Sequence, residues 1–214
     1  MADIFKEVDE EVRKEKAAEW WNRYGIAVVG AAVLLVLGVA GYKGWSYFEQ
    51  QRRMDLSETF VSAMQLVETG RSDAALAAFA ELSDRGDKGY PLLAAFHRAS
   101  LLLESGDKQG ALLIWDEISR DEAAGTGFQG AAVLLTVQNQ IGAADPAELR
   151  ARLEPLTSEG LPFRSAALEL MAVLALEEGK TDEAVDLYRE VADDLNAPSG
   201  LRARAAQVLA GLGE

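Results

Sequence analysis

The sequence predicts an all-α chain: a single N-terminal transmembrane helix, then an α-solenoid of about four helical hairpins plus a closing helix. Three observations carry this. Residues 24–42 are nineteen consecutive uncharged residues, and a phrase of glycine, alanine and aromatic recurs at nearly fixed spacing. Alanine and leucine abound while proline numbers only 5, a composition that favours helix.

Residues 1–23 form a short charged segment with seven acidic and five basic residues. A cleaved signal peptide begins short and net positive, so the apolar helix that follows is expected to be retained, although "GVA" at 38–40 offers small residues of the kind a signal peptidase accepts. Within the leader Ile4, Phe5, Val8 and Val12 fall at helical spacing, the pattern of a solvated or interfacial helix.

The stretch "YGIAVVGAAVLLVLGVAGY" lies between Arg23 and Lys43. At about 1.5 Å per residue it reaches roughly 28 Å, the thickness of a bilayer's hydrocarbon. Trp20, Trp21 and Tyr24 stand at one end and Tyr42, Trp45, Tyr47 and Phe48 at the other, where amphipathic rings favour the headgroup level. The Ile, Val and Leu residues from Ile26 to Val39 would contribute roughly −3 to −5 kcal/mol to insertion. The predicted transmembrane helix is therefore 24–45. Ala27, Ala31, Gly38 and Gly41 share one stripe of it and form a candidate packing face for another helix. Four basic residues precede the span within fifteen positions (Arg13, Lys14, Lys16, Arg23) and three follow (Lys43, Arg52, Arg53), which leans toward a cytoplasmic N-terminus.

Residues 46–214 are predicted to be the helical repeat domain. Aligned on Gly70, Gly106, Gly142 and Gly179, each copy has an alanine five residues on: Ala75, Ala111, Ala147 and Ala184. Nine residues after the glycines come Phe79, Trp115, Ala151 and Tyr188; seven before them, Ala63, Ala99, Leu135 and Ala172. The glycine suits a helix C-terminus because it tolerates positive φ, and small residues in both helices let them cross closely. A lone hairpin cannot bury its apolar face, so hairpins stack and share a core. The third copy lacks the aromatic, and "DEAAGTGFQG" and "LEPLTSEGLP" predict longer or irregular flanks around it.

This spacing resembles the tetratricopeptide repeat over about residues 53–196, with a unit two to three residues longer than that repeat's 34. Taken with the charged leader, the span and "GWSYF", the stretch "GYPLLAAFHRASLLLESGDKQGAL" resembles the bacterial family of ancillary SecYEG translocon subunits. That resemblance implies a bacterial inner-membrane protein, single-pass, with a cytoplasmic N-terminus and a periplasmic repeat domain. It implies as partners the SecYEG translocon and periplasmic chaperones, in particular a membrane-anchored prolyl isomerase.

Charge and chemistry narrow the function further. The formal net charge is −14, which repels nucleic-acid phosphate, so no nucleic acid is expected as a partner. Cysteine is absent and His97 is the sole histidine, so neither thiolate nor paired-histidine metal sites can be assembled. "GKT" at 179–181 lacks the first glycine of a phosphate loop, its place being taken by Leu174. The acidic pairs Asp116/Glu117, Glu177/Glu178 and Asp193/Asp194 read as solvated helix faces. No catalytic residue, cofactor, metal or small-molecule substrate is expected, and the chain is read as a non-catalytic interaction module. On the repeat register Phe60, Met64, Val67, Leu93, Phe96 and Leu103 form a candidate partner-binding groove, with Ser57 and Ser100 beside them. A scaffold for a division or wall-synthesis complex of the envelope is the alternative function.

Overall fold

In the computed structural model the backbone is described for residues 2–86 and 88–213, and side chains for 14, 18–26, 29–31 and from 33 onward within those limits. The described chain is helical throughout: α1 (Ala2–Glu68), α2 (Ser72–Ser83), α3 (Tyr90–Glu104), α4 (Lys108–Arg120), α5 (Thr126–Gln140), α6 (Pro146–Leu153), α7 (Arg164–Glu177), α8 (Thr181–Asp193) and α9 (Ser199–Leu212). Short 3-10 turns at Glu122–Ala124 and Glu154–Leu156 fall in the two stretches that the sequence marks as irregular.

The chain divides into two compact units, Met1–Asp55 and Leu56–Glu214. Residues 45 and 46, where the sequence reading divides the chain, both lie inside α1, which no proline interrupts. In the first unit the described aliphatic side chains between Ile26 and Val39 stand exposed, from Val33 at 51 % to Ile26 at 90 %. One N-terminal helix is thus long and apolar enough to cross a membrane. Of the predicted packing stripe, Ala31, Gly38 and Gly41 are exposed on α1, while the side chain of Ala27 lies outside the described residues. So do those of Ile4, Phe5, Val8 and Val12.

The second unit is a stack of hairpins: the end of α1 with α2, α3 with α4, α5 with α6, α7 with α8, then α9. Three of its turns close in the same way. Gly70 donates to the Val67 carbonyl and Arg71 to Leu66; Gly106 to Leu103 and Asp107 to Leu102; Gly179 to Leu176 and Lys180 to Ala175. These paired bonds satisfy the last carbonyls of the helix and require a left-handed residue, here glycine at φ 70°, 92° and 73°. The second helix then begins two residues past the glycine.

The first, second and fourth hairpins each contribute a buried trio: Ala63, Ala75 and Phe79; Ala99, Ala111 and Trp115; Ala172, Ala184 and Tyr188. Each trio is joined by a fully buried alanine on the next hairpin's first helix or on α9: Ala94, Ala132 and Ala205. The core is therefore a row of joints, each shared by one hairpin and its successor.

The third hairpin departs from the predicted register. α5 ends at Ile141 in extended backbone, Ala143 and Ala144 both donate to the Gln140 carbonyl, and α6 begins four residues past Gly142 rather than two. Asp145 sets that start: its carboxylate accepts from Ala147 N–H, and Pro146 occupies the first helical position. Ala147 and Ala151 are consequently exposed. Their places are taken two residues later by Leu149 and Leu153, buried with Val137 and with Ala167 of α7.

Candidate partner-binding site

The six residues predicted to line a groove are all half-buried. Phe60 sits in a cluster of rings, 5.8 Å from Phe79, 5.4 Å from Tyr90 and 5.4 Å from His97 between centroids. Ser57 donates to the Tyr90 hydroxyl at 3.0 Å beside it. Met64 and Val67 pack on the first joint with Phe60; Phe96 and Leu103 pack on the second, where Phe96 meets Phe128 at 5.7 Å. Leu93 lies half-buried on α3. Much of the apolar surface that the repeat register assigns to a groove thus packs between hairpins. His97 stacks on Phe79 with rings 15° from parallel, and burial holds its pKa below the ordinary value.

Clefts open on another part of the repeat unit, where second helices flank the first. One, of about 800 Å³, lies between the end of α2 and α4, with Leu92 and Ala95 of α3 in its lining. A smaller one of about 170 Å³ lies between α4 and α6 and reaches Thr136 and Gln140 of α5. A third, about 420 Å³ and mainly apolar, is bounded by α5, the end of α6 and Phe163. Leu113 and Asp116 line both the first and the second; Arg152 lines both the second and the third. None of the six predicted groove residues lines any of them. Leu113 is 70 % exposed between its two clefts. Thr136, by contrast, is 2 % exposed with its hydroxyl unpartnered.

The acidic pairs are not simply solvated faces. Asp116 takes ion pairs from Arg120 of its own helix and from Arg152 of the next hairpin. Glu178 takes Arg150 and Lys180, and its carboxyl is held below the ordinary value, chiefly by the Lys180 hydrogen bond. Asp194 accepts from Asn196 N–H at 2.9 Å and Ser165 Oγ at 3.2 Å, with Arg164 alongside. Arg204 of α9 likewise grips Glu169 of α7. The pairs of Arg150, Arg152 and Arg204 are clamps between neighbouring hairpins, or between α9 and α7, whereas the Asp194 contacts join α7 and α8 within one hairpin. The glycine, alanine and aromatic phrase carries no trace of them. The signal that could have found them is the spacing of an arginine and a carboxylate about one repeat apart, as in Arg152 and Asp116.

Stacked hairpins with recurrent small-residue joints and glycine turns define the architecture, and the sequence agrees. Residues 18–197 match the tetratricopeptide repeat-like domain family. The chain belongs to that family. The family match begins ahead of the apolar segment of α1, so segment and repeats fall within one matched region. No curated protein matches the chain. Its fold is similar to the crystal structure of a Podosopora anserina putative kinesin light chain with nearly identical TPR-like repeats. That likeness has a TM-score of 0.54 at 16 % identity, over 73 % of this chain and 84 % of that one, and it concerns the fold alone. A tetratricopeptide repeat-like fold is a protein–protein interaction module, and protein surfaces are what this chain offers.

Proposed function

We propose that this chain is a membrane-tethered interaction module of the bacterial inner membrane, with its N-terminus in the cytoplasm and its repeats in the periplasm. On this reading it links the SecYEG translocon to periplasmic chaperones, among them a membrane-anchored prolyl isomerase, and to clients as they emerge. The observation that carries the tether is the run of exposed aliphatic side chains in α1, bracketed by exposed Trp20, Trp21 and Tyr24 and by Tyr42, Trp45, Tyr47 and Phe48. Exposed together in water, these side chains would be a costly apolar surface; in lipid they are matched. The resemblance to ancillary translocon subunits supplies the partners. Tethering is itself a mechanism, since confinement beside a channel raises the effective concentration of a weakly binding surface.

Photo-crosslinking from exposed repeat positions of the full chain in intact membranes tests the partners. Adducts with translocon subunits and with a periplasmic chaperone are expected. Their absence, with the chain present in the membrane, would remove the assigned partners.

A further inference from the structure

The three clefts share lining residues, so they form one interrupted groove beside α4: a large end, a small middle at Leu113, Asp116 and Arg152, and an apolar far end. We propose that this groove is a binding site for an extended polypeptide segment in which basic and aliphatic side chains alternate.

Charge decides the sign of the ligand. The three clefts are lined by Asp84, Asp116, Glu117 and Asp121 against Arg98, Arg120 and Arg152, and the acidic excess lies at the large end, where all four carboxylates face only Arg98 and Arg120. The surrounding field has the same sign: residues 49–214 hold 28 acidic and 15 basic residues. An anionic segment would be repelled and a basic one drawn in.

Shape decides the conformation. The clefts are separate hollows joined through shared residues, Leu113, Asp116 and Arg152, a series that successive side chains of an extended chain can fill in turn. The small middle cleft is flanked by the amides of Gln109 and Gln140, which can bond the backbone of such a chain. Leu113, 70 % exposed between two clefts, offers apolar contact to an aliphatic side chain on either flank. The occupant is therefore a segment of another protein that is unfolded when captured.

This proposal rests on the reading of the chain as an interaction module, although not on which partners it serves. The test uses the full chain in zwitterionic phosphocholine nanodiscs and fluorescent peptides of alternating Lys and Leu or alternating Glu and Leu, followed by anisotropy. The Lys/Leu peptide should bind and the Glu/Leu peptide should not. Leu113→Ala and Glu117→Gln should each weaken binding about threefold to tenfold, while Leu195→Ala and Asp186→Asn, exposed positions remote in sequence, should leave it unchanged. Equal effects of groove and control substitutions, or no binding of the Lys/Leu peptide, would overturn the site. Lost translocon crosslinks with intact peptide binding would count against the assigned partners alone; the reverse result would count against the groove alone.

Discussion

Arg150 of the short helix α6 reaches Glu183 of α8, its Nη1 donating to Oε1 at 2.7 Å, while its Nε donates to Glu178 at 2.8 Å. Two residues on, Arg152 holds Asp116 of α4. The third hairpin is thus clamped to both neighbours by arginines two residues apart, in the repeat whose second helix has only eight residues. The charged fork ties hairpins together where the shorter helix offers less apolar surface to do so.

Arg150→Met should lower the thermal midpoint of the repeat unit by a few degrees. Asp186→Asn, which removes the acidic side of an exposed pair within one helix, should move it by about 1 °C or less, since such pairs contribute little. Circular dichroism melts of both variants check the contrast, and raised salt should narrow it less than for an exposed pair.

The shifted register of the third repeat gives a second test. Leu149→Ala removes a side chain that is 1 % exposed and should cost roughly 2–5 kcal/mol. Ala147→Ser, two residues earlier in the exposed first turn of α6, should stay within about 0.5 kcal/mol. Denaturant titration that found the reverse order would restore the register counted from Gly142.

That register marks where the sequence stops being legible. Gly70, Gly106 and Gly179 are each followed by a helix at the same offset, so spacing from the glycine finds the buried alanine and aromatic correctly. After Gly142 the Asp145–Pro146 start delays the helix, and counting from the glycine lands on exposed Ala147 and Ala151. The start signal is present in the sequence, but periodicity alone does not weigh it. The candidate surfaces were less readable still. Phe60 and Phe96 are apolar whether they line a groove or pack against the next hairpin, and only the neighbouring rings distinguish the two. Leu113 stands in the apolar run Ala111–Trp115 and reads as core, whereas its exposure between two clefts depends on α2 and α6, which are remote in sequence.

A third prediction concerns Gly130 on α5. A Cβ there would come within 2.8 Å of the Phe163 ring and 3.4 Å of Leu156. Gly130→Ala gains roughly 1 kcal/mol of helix propensity but overpacks a site where the ring must move, a cost of roughly 1–3 kcal/mol. Net destabilisation is expected, and Phe163→Leu in the same chain should relieve part of it. A stabilised single variant would show that the ring yields freely.

Acid should act in two stages. His97 has a folded pKa below its ordinary 6.5 because burial disfavours the charged ring. Its contribution is complete above pH 6.5 and declines as pH falls from there toward the lowered value. Asp194 lies below its ordinary 3.8, chiefly through the Asn196 backbone bond, with Ser165 and Arg164 adding to it. Its contribution is present above pH 3.8 and is lost as pH falls through the lower folded value. His97→Phe should flatten the melting midpoint across the first window and leave the second in place. A first-stage loss that persists in that variant would assign it to other groups.

The tether is the claim on which the rest depends, and alkaline carbonate extraction of membranes containing the full chain tests it most directly. The chain should remain with the sedimented vesicles at its full mass, while a chain beginning at Leu56 should be released. Release of the full chain into the supernatant, or recovery of a shortened product cut near 38–40, would contradict a retained membrane helix.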